Sequence, residues 1–298
     1  MDDDLCAQYS QRLYTLLVSA VSNCFAPSDS LGVLFSGGLD SSIITAILSK
    51  THTDPLQLFV AGIEFAKDLD LASEAAEALN LSLTLRIFTE EDVKEALPAI
   101  TSLLGPPDVM HTELAIPFFF AVQCAKQFGV TILICGQGAD ELFSGYAKYE
   151  KLLLQSMPEA VLAQMESDLN NLQKTTLPFL QRIVSQFSLR LVTPFLEPSI
   201  IDFSSTLPFS CKLQRSADTI IRKRVLRLLA ENLGLPSQVT NAPKRAMQYG
   251  SGSHRVLTKL ATEYWLDQNP ELTQRQARSH ARVEQYLKLL AAKNPNSQ

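Results

Sequence analysis

The stretch that decides the fold spans residues 31–42 and reads Leu-Gly-Val-Leu-Phe-Ser-Gly-Gly-Leu-Asp-Ser-Ser. An apolar run ends at Phe35, two glycines follow, and a helical pattern of apolar residues begins after Ser41. This order predicts a buried strand, a glycine turn and the start of a helix. The first N–H groups of a helix have no partner within the helix, so they point at whatever lies in the turn. The stretch therefore predicts a cradle for an anion, with phosphate or pyrophosphate as the expected occupant.

The polar residues of this stretch specify the anion further. Hydroxyl donors and an open backbone come from Ser36, Gly37, Gly38, Ser41 and Ser42. Asp40 places a carboxylate beside the cradle, which is repulsive to a phosphate unless a cation lies between them. We therefore expect a divalent metal, magnesium, with the phosphate. The alternative is an ordinary strand–turn–helix with small packing residues, and the spacing is not that of Gly-x-Gly-x-x-Gly or of a loop ending in Gly-Lys-Ser.

Bulk composition excludes several classes of protein. The chain has 298 residues, 46% of them hydrophobic, and a net charge of −5, which allows one or two domains and favours neither a nucleic-acid surface nor a membrane surface. The five cysteines are scattered without a CxxC pair, so we expect reduced thiols in the cytoplasm, without a disulfide framework or zinc knuckle. The acidic start, residues 1–4, is unlike a leader peptide. The four dispersed histidines predict surface or packing roles.

Apolar runs alternate with helical patterns through the first half of the chain. Strands are predicted near residues 31–35, 56–63, 81–88 and 130–135, with helices near residues 5–25, 41–50, 72–79, 89–104 and 113–128. This rhythm predicts an α/β fold with a doubly wound parallel sheet. After Tyr149 long helical patterns dominate, over residues 149–172, 178–189, 217–233 and 254–291, and strand-like runs are absent. We therefore expect an α/β domain over residues 1–149 and a helical region over residues 150–298.

A second glycine motif follows the fourth predicted strand. Residues 135–146 read Cys-Gly-Gln-Gly-Ala-Asp-Glu-Leu-Phe-Ser-Gly-Tyr. If the fourth strand returns to the far side of the first, the carboxyl ends of these two strands flank the position where open α/β sheets bind ligands. Asp40 and Asp140 then face each other. Two carboxylates beside a phosphate cradle are the expected ligands of magnesium bound to a nucleoside triphosphate.

These motifs carry a family resemblance. Residues 36–42 resemble the pyrophosphate loop of the ATP pyrophosphatases, and together with residues 136–146 they resemble the synthetase domain of asparagine synthetases. Three later segments are similar to further motifs of that family: residues 194–197, 223–227 and 243–252. The resemblance covers the chain from about residue 10 to about residue 255. It implies the pyrophosphate-loop (PP-loop), adenine nucleotide α-hydrolase-like version of the doubly wound fold.

The resemblance also implies a reaction with ATP and magnesium. A carboxylate substrate, aspartate in the family's case, would attack the α phosphorus and release pyrophosphate, and ammonia would then displace AMP. Adenine would lie against the backbone of Phe35, Ala61, Cys135 and Gly136. Positive charge on the departing pyrophosphate would come from Lys244, with Lys223 and Arg227 as second choices. The alternative for Lys223 and Arg227 is the basic face of a surface helix.

The sequence departs from the family pattern in the half of the site that would accept the amine. Residue 2 is aspartate, and about thirty residues precede the first strand, so we expect no glutaminase domain, and ammonia that arrives free or from a separate glutaminase partner. Gln137 stands where family members often have glutamate, and an amide cannot act as a base. Arg190 and Val192 replace the family's Glu-x-Arg pair.

Three functions stay open at this point. The first is asparagine synthesis from aspartate and ammonia. The second is a related adenylating ligase for another carboxylate or amine, such as a β-lactam-forming enzyme; a tRNA-modifying relative is disfavoured by the net negative charge and scattered cysteines. The third is a nucleotide-binding protein without turnover, which the glutamine at position 137 suggests. The helical half can serve a homodimer or simply cover the sheet.

Overall fold

A parallel five-stranded sheet lies at the centre of the computed structural model, which describes residues 2–26, 28–105, 108–215, 219–241 and 247–292. The strands are β1 (Leu31–Leu34), β2 (Gln57–Gly62), β3 (Leu83–Ile87), β4 (Ile132–Ile134) and β5 (Arg190–Val192). Their order is β3-β2-β1-β4-β5, and every neighbouring pair is parallel. The predicted α/β fold is confirmed, including the return of β4 to the far side of β1.

Helices connect these strands and cover the sheet. Those of the first half are α1 (Asp2–Ser22), α2 (Leu39–Thr51), α3 (Lys67–Ala78), α4 (Glu90–Leu104) and α5 (Val109–Gln127). α4 begins with a capping box, in which Asp92 N donates to Thr89 Oγ1 at 3.1 Å and Thr89 N donates to Asp92 Oδ2 at 2.7 Å. α5 is buried along most of its length because it packs against β2, α4 and a later helix, Leu177–Gln186.

The second half is mainly helical. Its elements before the small hairpin are α6 (Ala139–Phe143), α7 (Ala147–Gln155), α8 (Pro158–Asn171), a π-helical turn (Leu172–Thr176), α9 (Leu177–Gln186), a 3-10 turn (Pro194–Leu196), α10 (Pro198–Thr206) and α11 (Phe209–Lys212). The antiparallel hairpin comprises β6 (Leu213–Arg215) and β7 (Ile220–Arg222). The remaining helices are α12 (Arg224–Asn232), α13 (Ser237–Thr240), α14 (Met247–Gly250), α15 (Ser253–Gln268), α16 (Gln274–Ala277) and α17 (His280–Ala292).

The expectation that strands are absent after Tyr149 was wrong. β5 joins the parallel sheet beside β4, and β6 pairs with β7. Each of these strands has three residues, too few to show the alternation that identifies a strand in a sequence. The predicted long helices over residues 149–172 and 254–291 are likewise divided into shorter ones. The domain boundary between residues 149 and 150 stays a prediction, and β5 shows that the second part completes the sheet of the first.

The expectation of five reduced thiols was also wrong. Cys6 in α1 and Cys211 in α11 form a disulfide, with their Cα atoms 5.5 Å apart. The two residues are separated by 205 positions, so spacing could not reveal the pair. Cys24, Cys124 and Cys135 are free. Across the described ranges, none of the helices combines the length and the apolar character needed to cross a bilayer.

Candidate active site

The first glycine loop joins β1 to α2 and contributes to the wall of a cavity at the carboxyl edge of the sheet. Gly38 is the N-cap of α2, and no side chain caps this end of the helix. Ser41 Oγ donates to Gly38 O at 3.1 Å and lies 3.2 Å from Ser36 Oγ. The loop therefore combines two ordered hydroxyls with an uncapped helix start, which is the arrangement that binds phosphate groups.

Replacing Gly37 by alanine is expected to disrupt this loop. Gly37 has a φ of 69°, and an added Cβ would overlap Leu71 O and lie 2.8 Å from Ala72 Cα. Gly129 provides the matched control, since its φ is 75° and an added Cβ meets no heavy atom within 4 Å. Gly129→Ala should cost about 1–2 kcal/mol of stability from its backbone conformation alone.

Gly37→Ala should cost more than that, and it should also weaken ATP binding about tenfold or more, which corresponds to at least about 1.4 kcal/mol of binding free energy. Denaturant unfolding and titration calorimetry with ATP measure the two effects. Equal ATP affinity in Gly37→Ala and Gly129→Ala would contradict a phosphate-binding role for the loop.

Two aspartates from separate glycine loops meet at one ammonium group. Lys223 Nζ lies 2.8 and 2.6 Å from the two carboxylate oxygens of Asp40, and 2.6 Å from Asp140 Oδ1. Asp40 lies in the first turn of α2, Asp140 in the first turn of α6, and Lys223 between β7 and α12 with a φ of 54°. All three side chains are largely buried, with 6% of Lys223 exposed. The structure thus brings the two predicted metal ligands to a common cation.

A close approach at Gly145 makes this cluster possible. A Cβ at Gly145 would overlap both Asp140 Oδ1 and Lys223 Cε, so a residue with a side chain could not stand there. Arg222 Nη1 donates to Gly145 O at 3.0 Å, and Arg222 Nε lies 3.6 Å from Glu150 Oε2 in α7. These contacts connect the end of β7 to the loop after α6 and to α7. They thereby hold the backbone of Lys223, the next residue, in place.

The carboxylate pair fits a magnesium ion that is bound to a triphosphate. Both carboxylates already converge on a single positive group, at the edge of the phosphate loop. Magnesium is usually held by one or two carboxylates, with phosphate oxygens and water as its other ligands. Within the described ranges no cluster of three or more His, Cys, Asp or Glu side chains could hold a metal by itself. The two carboxylates therefore fit a magnesium ion whose remaining ligands would be phosphate oxygens and water.

Two adjoining cavities lie beside the first glycine loop. The first, which we call the loop cavity, has a polar side formed by Ser36, Asp40, Ser41, Gly136, Gln137 and Asp140. Its far wall comprises Leu114, Phe118, Thr176, Phe179, Leu180 and Met247. The second, the sheet-edge cavity, is lined by residues that include Phe35, Ala61, Asp68 and Pro117. The two cavities share Leu34, Ser36, Phe118 and Met247, so they adjoin each other at the ends of β1, β2 and β4.

Several sequence-predicted residues lie elsewhere. Ser42 is fully buried within α2 and does not line either cavity. Arg227 Nε donates to Arg222 O at 2.8 Å and its guanidinium also bonds to Thr240 O, so its contacts are with backbone. Lys244 lies outside the described residues, and its role stays a prediction.

Cys135 lines the loop cavity, but its thiol is not reactive at neutral pH. Burial raises the pKa of Cys135 to about 11, so the thiol remains protonated. The position of this cysteine beside the glycine loops therefore gives no support to sulfur-transfer chemistry.

The apolar far wall was missed by the sequence reasoning. Leu114 and Phe118 lie on α5, Thr176 ends the π-helical turn, and Phe179 follows on α9. In the sequence these residues read as ordinary helix core. A π-helical turn has no residue signature, so only the helix packing identifies them as part of the cavity.

The geometry agrees with what comparisons with known proteins find. A family model described as "Asparagine synthase" matches residues 12–176 and 159–298. The putative asparagine synthetase [glutamine-hydrolyzing] 1 of Methanocaldococcus jannaschii is 28% identical over 264 residues, which cover 79% of this chain and 48% of that protein. The asparagine synthetases [glutamine-hydrolyzing] of Gallus gallus and Homo sapiens are 27% and 26% identical, covering 86% and 80% of this chain and 46% and 43% of their own.

The chain spans about half the length of the curated relatives that it matches. Among solved structures, the NMN synthetase of Francisella tularensis aligns with 98% of this chain and 95% of its own, at a TM-score of 0.45 and 13% identity, a likeness too distant to bear on function. The family match extends over both halves of the chain, including the two glycine loops and the segment that carries Lys223. This protein therefore belongs to the asparagine synthase family.

Proposed function

We propose that this chain is an ATP- and magnesium-dependent ligase that forms an amide through an acyl-adenylate, with release of pyrophosphate and then AMP. The observation that carries the proposal is the meeting of Asp40 and Asp140, from separate glycine loops, at one positive group. A carboxylate pair beside a phosphate loop is what a metal-bound triphosphate requires. Membership of the asparagine synthase family supports the same class of reaction.

Each part of the site has a role in binding ATP. The loop over residues 36–42 holds the β and γ phosphates, and adenine occupies the sheet-edge cavity beside Phe35 and Ala61. Asp40 and Asp140 hold magnesium, which when bound neutralises charge on the phosphates. Lys223 adds a positive charge beside the same carboxylates. Lys244 is proposed to contact the departing pyrophosphate.

The reaction proceeds in two displacements. In the first, a carboxylate oxygen bonds to the α phosphorus, and the bond between that phosphorus and the pyrophosphate oxygen breaks. In the second, an amine nitrogen bonds to the acyl carbon, and the bond to AMP breaks. The site's own contribution is to hold the two reactants together and to stabilise the charge on each leaving group.

Aspartate and ammonia are the substrates that the family resemblance favours. A second candidate, an apolar carboxylate, is favoured by the far wall of the loop cavity. Among the described residues that line this cavity, none is Lys, Arg or His. Aspartate carries a second carboxylate and an ammonium group, and burying such charges without partners is costly. An aliphatic or aromatic acyl group would instead pack against Phe118, Phe179 and Leu180.

The test is carboxylate-dependent exchange of labelled pyrophosphate into ATP, followed by product analysis. Aspartate, butyrate and phenylacetate are offered in turn with ATP and magnesium, and ammonium is then added. We expect exchange with one class of carboxylate, and equal amounts of AMP, pyrophosphate and amide at the end. Release of ADP and phosphate would contradict the adenylation mechanism, and exchange with aspartate alone would contradict the apolar candidate.

The same pyrophosphate-exchange assay tests the remaining candidate function, ATP binding without turnover. A protein that binds ATP tightly but exchanges no pyrophosphate with any carboxylate would be a nucleotide-binding protein without turnover. The nitrogen source follows from comparing ammonium with glutamine, since glutamine would require a separate glutaminase partner. A cytoplasmic location, where ATP is supplied, and a homodimer are part of the proposal, and cell fractionation and light scattering test them.

A further inference from the structure

Three hydrogen-bonded side chains, Asp108, His111 and Thr176, connect the protein surface to the far wall of the loop cavity. His111 Nδ1 lies 2.9 Å from Asp108 Oδ1, and His111 Nε2 lies 3.4 Å from Thr176 Oγ1. Because a carboxylate only accepts hydrogen bonds, Nδ1 carries the imidazole proton. Nε2 is then the acceptor to which the Thr176 hydroxyl donates. Thr176 lines the cavity, and its hydroxyl is thereby hydrogen-bonded to a base.

Packing holds this arrangement in one geometry. The His111 ring stands edge-on to Phe179, with ring centroids 5.2 Å apart, and 14% of its side chain is exposed. Thr176 is buried at 9% exposure and is the last residue of the π-helical turn between α8 and α9. The extra residue of a π-helical turn re-aims the side chains beside it, and such turns occur frequently at functional sites.

The second displacement of the proposed reaction needs a proton acceptor at this wall. An amine that attacks an acyl carbon becomes positively charged and must lose a proton. Gln137, which also lines the loop cavity, has an amide that accepts hydrogen bonds but no proton. Thr176 lines the same cavity, and its hydroxyl lies 3.4 Å from His111 Nε2.

We propose, as a consequence of the function proposed above, that Thr176 contacts the attacking amine and that His111 receives the amine's proton through it. The nitrogen forms its bond to the acyl carbon, and the bond from that carbon to the AMP oxygen breaks, its electron pair leaving with AMP. The proton on nitrogen passes to Thr176 Oγ1 while the hydroxyl's own proton passes to His111 Nε2. Asp108 stabilises the imidazolium, which returns the proton to solvent. Thr176 is the catalytic residue, and His111 and Asp108 are positioning residues.

A purely structural role accounts for only part of these contacts. Asp108 is the N-cap of α5, where its Oδ1 accepts a hydrogen bond from His111 N at 2.7 Å. Asparagine caps helices as well as aspartate does. Asp108→Asn therefore keeps the cap and removes the charge that stabilises the imidazolium, which separates the two roles.

The experiment measures the two half-reactions separately in the full chain. Pyrophosphate exchange with aspartate or phenylacetate reports adenylation, and amide formation with ammonium reports the second displacement. We expect Thr176→Val and His111→Gln to leave exchange within about twofold of wild type and to lower amide formation about 100-fold. Thr176→Ser should restore amide formation. Thr175→Val, the same change at the exposed neighbouring residue, is the matched control.

Hydroxylamine sharpens the test because its adduct is a stronger acid than that of ammonia and loses its proton to water readily. The defect of Thr176→Val should therefore be smaller with hydroxylamine than with ammonium. Equal amide formation by Thr176→Val and Thr175→Val would overturn the proposal, and so would equal losses in both half-reactions. If the wild-type chain shows no exchange with any carboxylate, it is the proposed ligase function that fails.

Discussion

Replacing Lys223 by methionine is expected to lower the free energy of unfolding by about 3–5 kcal/mol. The ammonium makes contacts of 2.6–2.8 Å with both Asp40 and Asp140, and it is 6% exposed. Without it, two buried carboxylates face each other across the space that the ammonium occupied. The cost arises from leaving these charges without that partner in a region of low dielectric constant. Denaturant unfolding at neutral pH measures it.

Lys212 provides the control because it is equally buried, at 5% exposure, in a different environment. Burial lowers the pKa of Lys212 to about 8, from an ordinary value of 10.5. The unfolded chain therefore binds more protons than the folded chain between pH 8 and 10.5, and this residue makes wild-type stability rise through that window by about 3 kcal/mol. Lys212→Met should raise stability at neutral pH and remove this rise. Equal destabilisation by Lys212→Met and Lys223→Met would contradict the ion-pair explanation.

The effect of magnesium on the melting temperature of Lys223→Met provides a second test that does not depend on activity. Since Asp40 and Asp140 lose an ammonium in the variant, a divalent cation should bind the pair more readily than in wild type. We expect magnesium chloride to raise the melting temperature of Lys223→Met more than that of wild type, at equal ionic strength. An identical response of the two proteins would show that the ammonium does not weaken the binding of a divalent cation to this carboxylate pair.

Replacing Asp140 by asparagine is expected to lower magnesium-dependent pyrophosphate release on the order of 10²- to 10³-fold, because the metal loses a charged ligand beside the phosphates. The fold should survive this change. Lys223 retains Asp40 as a partner at 2.6 Å, so the buried ammonium is still paired with a carboxylate. Asp140→Asn should therefore lose activity and keep its stability, as expected for a metal ligand. Lys223→Met, in contrast, should lose stability.

Calorimetric titration with ATP, with and without magnesium, measures directly how much the loss of the Asp140 carboxylate weakens magnesium-dependent ATP binding. Asp140→Asn should bind ATP with less dependence on magnesium than wild type. Asp202→Asn, an exposed aspartate on α10, serves as the matched control and should behave as wild type. ATP affinity that responds to magnesium equally in Asp140→Asn and Asp202→Asn would remove Asp140 from the metal site.

The sequence was sufficient for the parts of this protein that depend on local signals. A glycine turn between a buried strand and a helix predicts a loop that lets a ligand approach the backbone closely, and residues 31–42 and 135–146 both have one. The regular alternation of strands and helices then indicated the parallel sheet, and the topology of such sheets places their carboxyl ends together. The encounter of Asp40 with Asp140 follows from these rules, and the structure places both residues at one ammonium.

Only the tertiary structure reveals the contacts between groups from distant parts of the chain. Lys223 reaches Asp40 across 183 positions, His111 reaches Thr176 across 65, and Cys6 is bonded to Cys211 across 205. No spacing rule links such pairs, because each contact results from how whole helices pack. The two glycine loops belong to short segments whose own backbone preferences are strong. The ammonium of Lys223 between the aspartates and the apolar wall of the loop cavity depend instead on the packing of helices from distant parts of the chain.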